Sequence, residues 1–182
     1  MGDQWAVEDS AGGATGLWRC IHCQGSLRAP SAGSVSCNDC GADYPAVDGI
    51  PDLRTRDGAS TYADDDLADA RRLSAACRGA SLEAVMDKLC DRPEHDDATR
   101  ALRVRQILES PERLRSQMQG WLAPCLASDE LFLDVGCGSG GLLAEAANLG
   151  FPAAGIDASM TMLVAAKHMV EAHGGVARLA CA

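Results

Sequence analysis

The sequence is poor in aromatic residues and in basic ones. Phe, Trp and Tyr make up only 4% of the 182 residues, so a hydrophobic core has to be built mainly from Ala, Leu and Val. Lys and Arg number 16 against 26 Asp and Glu, which gives a formal net charge of −10. Because such a surface repels phosphates, non-specific binding to nucleic acid is disfavoured over most of it.

Long apolar runs are also missing. No run approaches the roughly 18 residues that a membrane-spanning helix needs. The first residues, "MGDQWAVEDSAGGATG", contain neither the basic nor the apolar region of a secretory signal. We therefore expect a cytoplasmic protein with no membrane partner, preceded by a disordered leader over residues 1–16.

Cysteine, in contrast, is abundant, with nine residues, four of them clustered. Cys20, Cys23, Cys37 and Cys40 form the pattern C-x2-C-x13-C-x2-C, which can present two thiolates from each of two tight turns and close a tetrahedral zinc site. A redox pair or disulfides are the alternatives, but a redox motif needs only one pair. Four protein ligands leave no open position, so the zinc is predicted to be structural, with His22 outside the ligand set.

The remaining cysteines are scattered along the chain. We interpret Cys137 as a small packing residue within a glycine-rich loop and not as a nucleophile. The other four are each isolated and are predicted to be buried thiols: Cys77, Cys90, Cys125 and Cys181.

A helical connector is predicted over residues 57–128. One helical stretch is interrupted at Gly79, a second follows Pro93, and a third begins at Ser110, the proposed N-cap before Pro111. Two sets of side chains in the connector stand out: an apolar set at helical spacing and a cluster of arginines. The first set is predicted to be a stripe facing the core: Leu114, Met118, Trp121 and Leu122. The second set could meet phosphates, although interspersed glutamates favour a solvated face: Arg100, Arg103, Arg105, Arg113 and Arg115.

Residues 129–182 follow a different pattern. Three short apolar runs alternate with two helical segments, the first closed by Gly150 and the second capped by Ser159. This β-α-β-α-β order predicts an α/β fold with a three-stranded parallel sheet.

A glycine loop follows the first of these strands. "LFLDVGCGSGG" contains both G-x-G-x-x-G, typical of dinucleotide sites, and D-x-G-x-G-x-G. Asp134 distinguishes the two, because its carboxylate would repel a pyrophosphate but attract the amino group and sulfonium of S-adenosylmethionine. Asp157, at the end of the second strand, can accept hydrogen bonds from ribose hydroxyls, which fits NAD as well.

Two stretches of the chain resemble known families. Residues 18–54, with "CIHCQGSL", "VSCNDCGADYPAVDGIPDL" and the run Tyr44–Pro51, resemble the small zinc-ribbon family that activates methyltransferases. In that family the ribbon is a separate partner or is fused ahead of a catalytic domain. The stretches "LDVGCGSG" and "GIDAS" resemble the first two motifs of class I S-adenosylmethionine-dependent methyltransferases.

The methyltransferase resemblance implies a set of cofactor contacts. Around the methionine end of the cofactor it implies Asp134, Gly136, Cys137, Gly138 and Gly140. On the ribose it implies Asp157, and against the adenine Ala158 or one of Met160 and Met162.

The same resemblance implies a Rossmann-like sheet of seven strands, of which residues 129–182 would provide three. We therefore expect the N-terminal part of a longer enzyme, or a truncated product whose exposed sheet edge is covered by a further segment or a protein partner. No catalytic residue can be assigned, and the methyl acceptor could be RNA, protein or a small molecule.

The sequence thus predicts a ribbon over residues 17–56, the connector, and an incomplete methyltransferase domain over residues 129–182. Two other functions stay open at this point. One is a non-catalytic ribbon module that docks on another methyltransferase, and the other is an NAD-dependent oxidoreductase.

Overall fold

The computed structural model describes residues 16–28, 33–55, 62–125, 127 and 129–182, and it shows a mixed α/β fold. The predicted leader lies outside the described residues apart from Gly16. Two three-stranded sheets and six α-helices account for most of the described chain.

The first sheet is a small antiparallel one with the order β1-β2-β3. It consists of β1 (Ser34–Ser36), β2 (Asp43–Val47) and β3 (Ile50–Pro51). The last two strands are joined by Asp48 and Gly49, which both adopt positive φ angles of 51° and 83°. Asp-Gly is favoured in such two-residue hairpin turns because both central positions need φ above zero.

The connector forms four α-helices, in agreement with the predicted breaks. They are α1 (Tyr62–Ala76), α2 (Leu82–Cys90), α3 (Asp97–Leu108) and α4 (Ser110–Gln117). Gly79 has a φ of 71° between the first two, and the Ser81 side chain then accepts a hydrogen bond from the backbone of Ala84. Asp96 caps α3 through Thr99 in the same way.

The prediction that Ser110 caps the third helical stretch was wrong. Glu109 is the N-cap and makes no side-chain capping bond, while Ser110 already lies inside α4. Only Glu109 separates α3 from α4, and it keeps helical backbone angles, so the Ser110 hydroxyl donates backwards to the carbonyl of Ile107 at 2.7 Å.

The predicted apolar stripe on α4 is only partly confirmed. Met118 is fully buried, but Trp121 is 78% exposed and Leu122 is at the surface. The α-helix ends at Gln117, and a π-helical turn (Met118–Leu122) follows. Because a π turn contains more residues than an α turn, the side chains after Met118 rotate away from the core.

The second sheet is the predicted parallel one, with the order β4-β5-β6. Its strands are β4 (Phe132–Val135), β5 (Ala153–Asp157) and β6 (Ala177–Cys181). The two crossover helices are α5 (Gly141–Asn148) and α6 (Met160–Ala172), and they pack against each other within the larger hydrophobic core. Right-handed crossovers place both helices on one face of the sheet.

The ribbon segment packs on the other face of this sheet. Ala180 and Ile156 belong to the hydrophobic cluster of the ribbon, whereas the neighbouring Leu179 points into the helical core. The backbone N–H of Leu53 also donates to the carbonyl of Cys181 at 2.7 Å, so the chain after β3 pairs in parallel with the edge of β6. The two sheets are therefore joined both by side chains and by backbone.

Strand β4 forms the opposite edge of the parallel sheet. Within the described residues it pairs only with β5, and its side chains Leu133 and Val135 are 48% and 71% exposed. What covers this strand stays a prediction. Within the same residues, none of the helices combines the length and the apolar character that crossing a membrane requires.

A buried carboxylate connects the connector to the parallel sheet. Asp66 of α1 accepts hydrogen bonds from the first turn of α6: from the Ser159 hydroxyl, the Met160 N–H and both the N–H and the hydroxyl of Thr161, at 2.6–3.1 Å. Burial acts to raise the pKa of Asp66, but the bonds from Thr161, Met160 and Ser159 outweigh it and hold that pKa below its ordinary value.

Arg54, at the end of the ribbon, completes this connection. Its guanidinium binds Asp52 at 2.8 Å and Asp66 at 2.9 Å, and it donates to the carbonyl of Ala158 at 2.8 Å. The arginine side chain is only 10% exposed, and those of the two aspartates are 0% and 6% exposed. Ribbon, connector and the turn after β5 thus meet at one buried guanidinium.

We predict that Arg54→Met lowers the free energy of unfolding by about 3–5 kcal/mol, because it leaves two buried carboxylates without their countercharge. Arg72→Met is the matched control: it removes the same charge from an exposed pair with Asp69 and should cost less than about 1 kcal/mol. Urea unfolding of both variants measures the difference. Equal losses would show that the buried position of Arg54 has no special weight.

Candidate metal centre and glycine loop

The four clustered cysteines converge as the spacing predicts. All four Sγ atoms lie within 4.8 Å of one another, with Cys20 3.6 Å from Cys40 and Cys23 3.5 Å from Cys37. With Zn–S bonds of about 2.3 Å, neighbouring sulfurs of a tetrahedral site lie about 3.8 Å apart, so the cluster is close to the geometry that a zinc ion needs. All four cysteines are free thiols. The donor set can hold a structural zinc.

The two cysteine turns repeat the same backbone hydrogen bonds. In the first, the N–H of Cys20 donates to the carbonyl of Gly25 and its own carbonyl accepts from Gln24. In the second, Cys37 bonds in the same way to Ala42 and Gly41. This repetition explains why a C-x2-C pair brings both of its sulfurs to one point, and why two such pairs can face each other.

A buried tyrosine lies directly against the cluster. The Tyr44 hydroxyl is 3.0 Å from the Sγ of Cys20, and this hydrogen bond lowers the pKa of the Cys20 thiol to about 6. Burial, together with Cys20, raises the pKa of Tyr44 to about 12, so the hydroxyl keeps its proton and donates. His22 stacks on the Tyr44 ring and stays outside the cluster.

The prediction of buried thiols is confirmed for three of the isolated cysteines and wrong for the fourth. Cys77, Cys90 and Cys181 are buried, but Cys125 is exposed. Its Sγ donates to the carbonyl of Trp121, in the segment where the π-helical turn moves the chain away from the core. Cys137 is also buried, and burial, with Asp134 and Asp157, raises the pKa of its thiol to about 12, which argues against a nucleophile.

The glycines of the loop divide into two kinds. Gly136 and Gly138 have φ angles of 78° and 52°, and a Cβ at either would meet no atom within 4 Å. Gly140 has a φ of 80°, and a Cβ there would lie 2.9 Å from the Cα of Ala166 in α6. The first two glycines therefore leave free space over the loop, whereas the third allows helix α6 to pack closely.

The loop and the end of β5 are bound to each other through Asp157. Its carboxylate accepts hydrogen bonds from the N–H groups of Gly138 and Ser159, both at 2.9 Å. Asp134 is half-buried at the end of β4, and burial, followed by the charge of Asp157, raises its pKa. The charge of Asp157 thus acts on Asp134.

The three residues predicted near the adenine lie in different environments. Ala158 is exposed, and its carbonyl is already bonded to Arg54. Met160 is fully buried in the core, which excludes it from contact with a ligand in this conformation. Met162 is only partly buried and lies beside Ser139 of the glycine loop, so it is the better placed of the two methionines.

A cleft of about 520 Å³ separates the connector from the glycine loop. Ser139 and Met162 line one side, and residues from α2, α3 and the segment between them line the other, including Arg103 and His95. The Nδ1 atom of His95 is 3.0 Å from the carbonyl of Cys90. Because a carbonyl can only accept, Nδ1 carries the proton and Nε2 of the neutral ring is left as a hydrogen-bond acceptor.

Sequence reasoning did not select Ser139 or His95 as site residues. Ser139 belongs to the predicted loop, whereas His95 lies near it only in the folded chain, since it is 44 positions before Ser139. The predicted helical connector was the one indication, because its helices were expected to pack against the α/β segment.

We predict one bound zinc ion per chain, and loss of that zinc in Cys37→Ser. Without metal the ribbon should open, because the metal supplies much of the folding free energy of such small sites. The exposed Cys125→Ser is the matched control and should keep the ion. Metal analysis measures zinc, and hydrogen exchange at the Leu53 amide, bonded to Cys181, shows whether the contact with β6 loosens. A zinc-free protein with full protection of that amide would contradict a structural role.

Comparison with known proteins assigns no family to the chain. No protein-family model matches it, and no curated protein matches its sequence. The resemblances to the zinc-ribbon family and to class I methyltransferases therefore stay expectations.

Proposed function

We propose that the chain binds S-adenosylmethionine at the glycine loop and belongs to a methyltransferase. The observation that carries this proposal is the pair of carboxylates, Asp134 and Asp157, beside a loop whose glycines leave open space. Burial and the charge of Asp157 raise the pKa of Asp134, and a cationic ligand would offset the repulsion by Asp157.

The residues present fit this cofactor. Gly136 and Gly138 would allow the ligand to approach the backbone closely, and Asp134 would attract its amino group. Asp157 has further lone pairs for ribose hydroxyls besides those used by Gly138 and Ser159. Met162 offers an apolar contact for the adenine. Cys137 packs beneath the loop, and Gly140 permits the close contact with α6.

The cofactor would supply an activated methyl group on its sulfonium, which an acceptor nucleophile takes. The residues of this chain would hold both partners in line and exclude water, and such positioning is the main source of rate in reactions of this kind. Nε2 of His95 is available to accept a hydrogen bond from an acceptor hydroxyl or amine in the cleft.

The alternative functions have less support. A dinucleotide would place its pyrophosphate near the carboxylate of Asp134, which is unfavourable. A non-catalytic module, in which the ribbon and the half-sheet dock on another methyltransferase, gives no reason for two carboxylates beside an open glycine loop.

We predict that S-adenosylmethionine binds in isothermal titration and that Asp134→Asn weakens it by about tenfold or more, because a charge-assisted contact is lost. Asp129→Asn removes the same charge from an exposed position outside the loop and should leave the affinity unchanged. NADH serves as the competing ligand. Tighter binding of NADH than of S-adenosylmethionine would refute the proposal.

The two kinds of glycine should also separate experimentally. Gly138→Ala adds a methyl group to open space, so it should weaken cofactor binding strongly while costing only about 1–2 kcal/mol of stability for the positive φ. Gly140→Ala should lower the free energy of unfolding by about 2–4 kcal/mol, since the new Cβ meets the backbone of α6. Thermal unfolding measures the stability of both variants, and titration measures their affinity for the cofactor. Equal losses of stability in the two variants would contradict the prediction.

A further inference from the structure

The cleft between the connector and the glycine loop differs in charge from the loop itself. Arg92 and Arg103 line it together with one acidic residue, Glu94. Arg92 also lies 3.9 Å from Asp69, an exposed and weak pair. The formal charge of the lining side chains is positive, although the chain as a whole carries −10.

Arg103 stands apart from the other arginines of the basic stretch. Four of the five bind carboxylates: Arg100 binds Asp87 at 2.7 Å, Arg105 and Arg113 bind Glu109 at 3.4 and 4.0 Å, and Arg115 binds Glu145 at 3.1 Å. Among the described residues, no carboxylate lies within 4.0 Å of the Arg103 guanidinium. Within the described residues, Arg103 is thus the arginine of this stretch that has no carboxylate partner, and it lies at the cleft.

The rest of the lining is divided between apolar and polar side chains. The apolar ones are Leu89, Cys90, Ile107 and Met162, and the polar ones are His95, Gln106, Ser110 and Ser139. A volume of about 520 Å³ is in the range of sites for small molecules. A ligand that matches this lining has an apolar body and one negatively charged group.

We propose that the cleft is the acceptor site and that the acceptor is a small molecule with an apolar body and an anionic group bound by Arg103. The inference rests on the proposed function, because Ser139 and Met162 place the cleft beside the glycine loop. RNA fits less well, since its binding needs several free cations along a surface and each of the other four arginines has a carboxylate within 4.0 Å.

Octanoate is a suitable probe, with octanamide as its uncharged counterpart. We expect titration calorimetry to show that octanoate binds more tightly than octanamide. Arg103→Gln should weaken octanoate about fivefold or more, as for loss of a partly exposed ion pair. Arg105→Gln is the matched control, because it removes the same charge from the same helix at a residue outside the cleft.

The proposal is overturned if octanoate does not bind, or if octanamide binds equally well. It is also overturned if both variants weaken octanoate equally, or if a short RNA binds in an Arg103-dependent way at near-physiological salt. Titration of S-adenosylmethionine in the same samples tests the proposed methyltransferase function separately from the anion site. Octanoate that binds without any cofactor binding would retain the anion site but refute the methyltransferase and, with it, the acceptor role. Competition between octanoate and the cofactor would assign the cleft to the cofactor instead.

Discussion

The arrangement of the molecule depends on the buried contact between Asp66 and the first turn of α6. A helix leaves its first N–H groups unpaired, and here a carboxylate from another helix satisfies those of Met160 and Thr161. That carboxylate is tolerated in the interior because Arg54 compensates its charge. The turn that carries Asp157 is therefore held by the connector and by the end of the ribbon, and the three segments form one structural unit.

This contact also gives the ribbon a role inside the chain. Its four-cysteine cluster joins the two cysteine turns, its closing segment pairs with β6, and Arg54 donates to the carbonyl of Ala158. A structural zinc in the ribbon would thus stabilise one wall of the candidate cofactor site without touching a ligand. Because these contacts are packed and hydrogen-bonded over short distances, loosening at the ribbon would reach the turn after β5 directly.

Local features of the fold could be predicted from the sequence, but long-range ones could not. The cysteine pairs, the break at Gly79 and the cap at Ser159 each depend on residues within a few positions, and all three predictions were right. Asp66 and Thr161 are 95 positions apart, and nothing in either segment identifies the other. The exposure of Trp121 was not predicted either, because the sequence keeps the α-helical period where the chain forms a π turn.

Acidic and basic side chains lie on opposite sides of the glycine loop. Asp134 and Asp157 lie on the strand side, and Arg92 and Arg103 line the connector side. A cationic methyl donor is favoured beside the carboxylates and an anionic acceptor beside the arginines, while the reverse placement is opposed at both positions. The attraction between oppositely charged donor and acceptor would also draw them together across the loop. The position of Asp134 also disfavours a dinucleotide, whose pyrophosphate would have to lie next to this carboxylate.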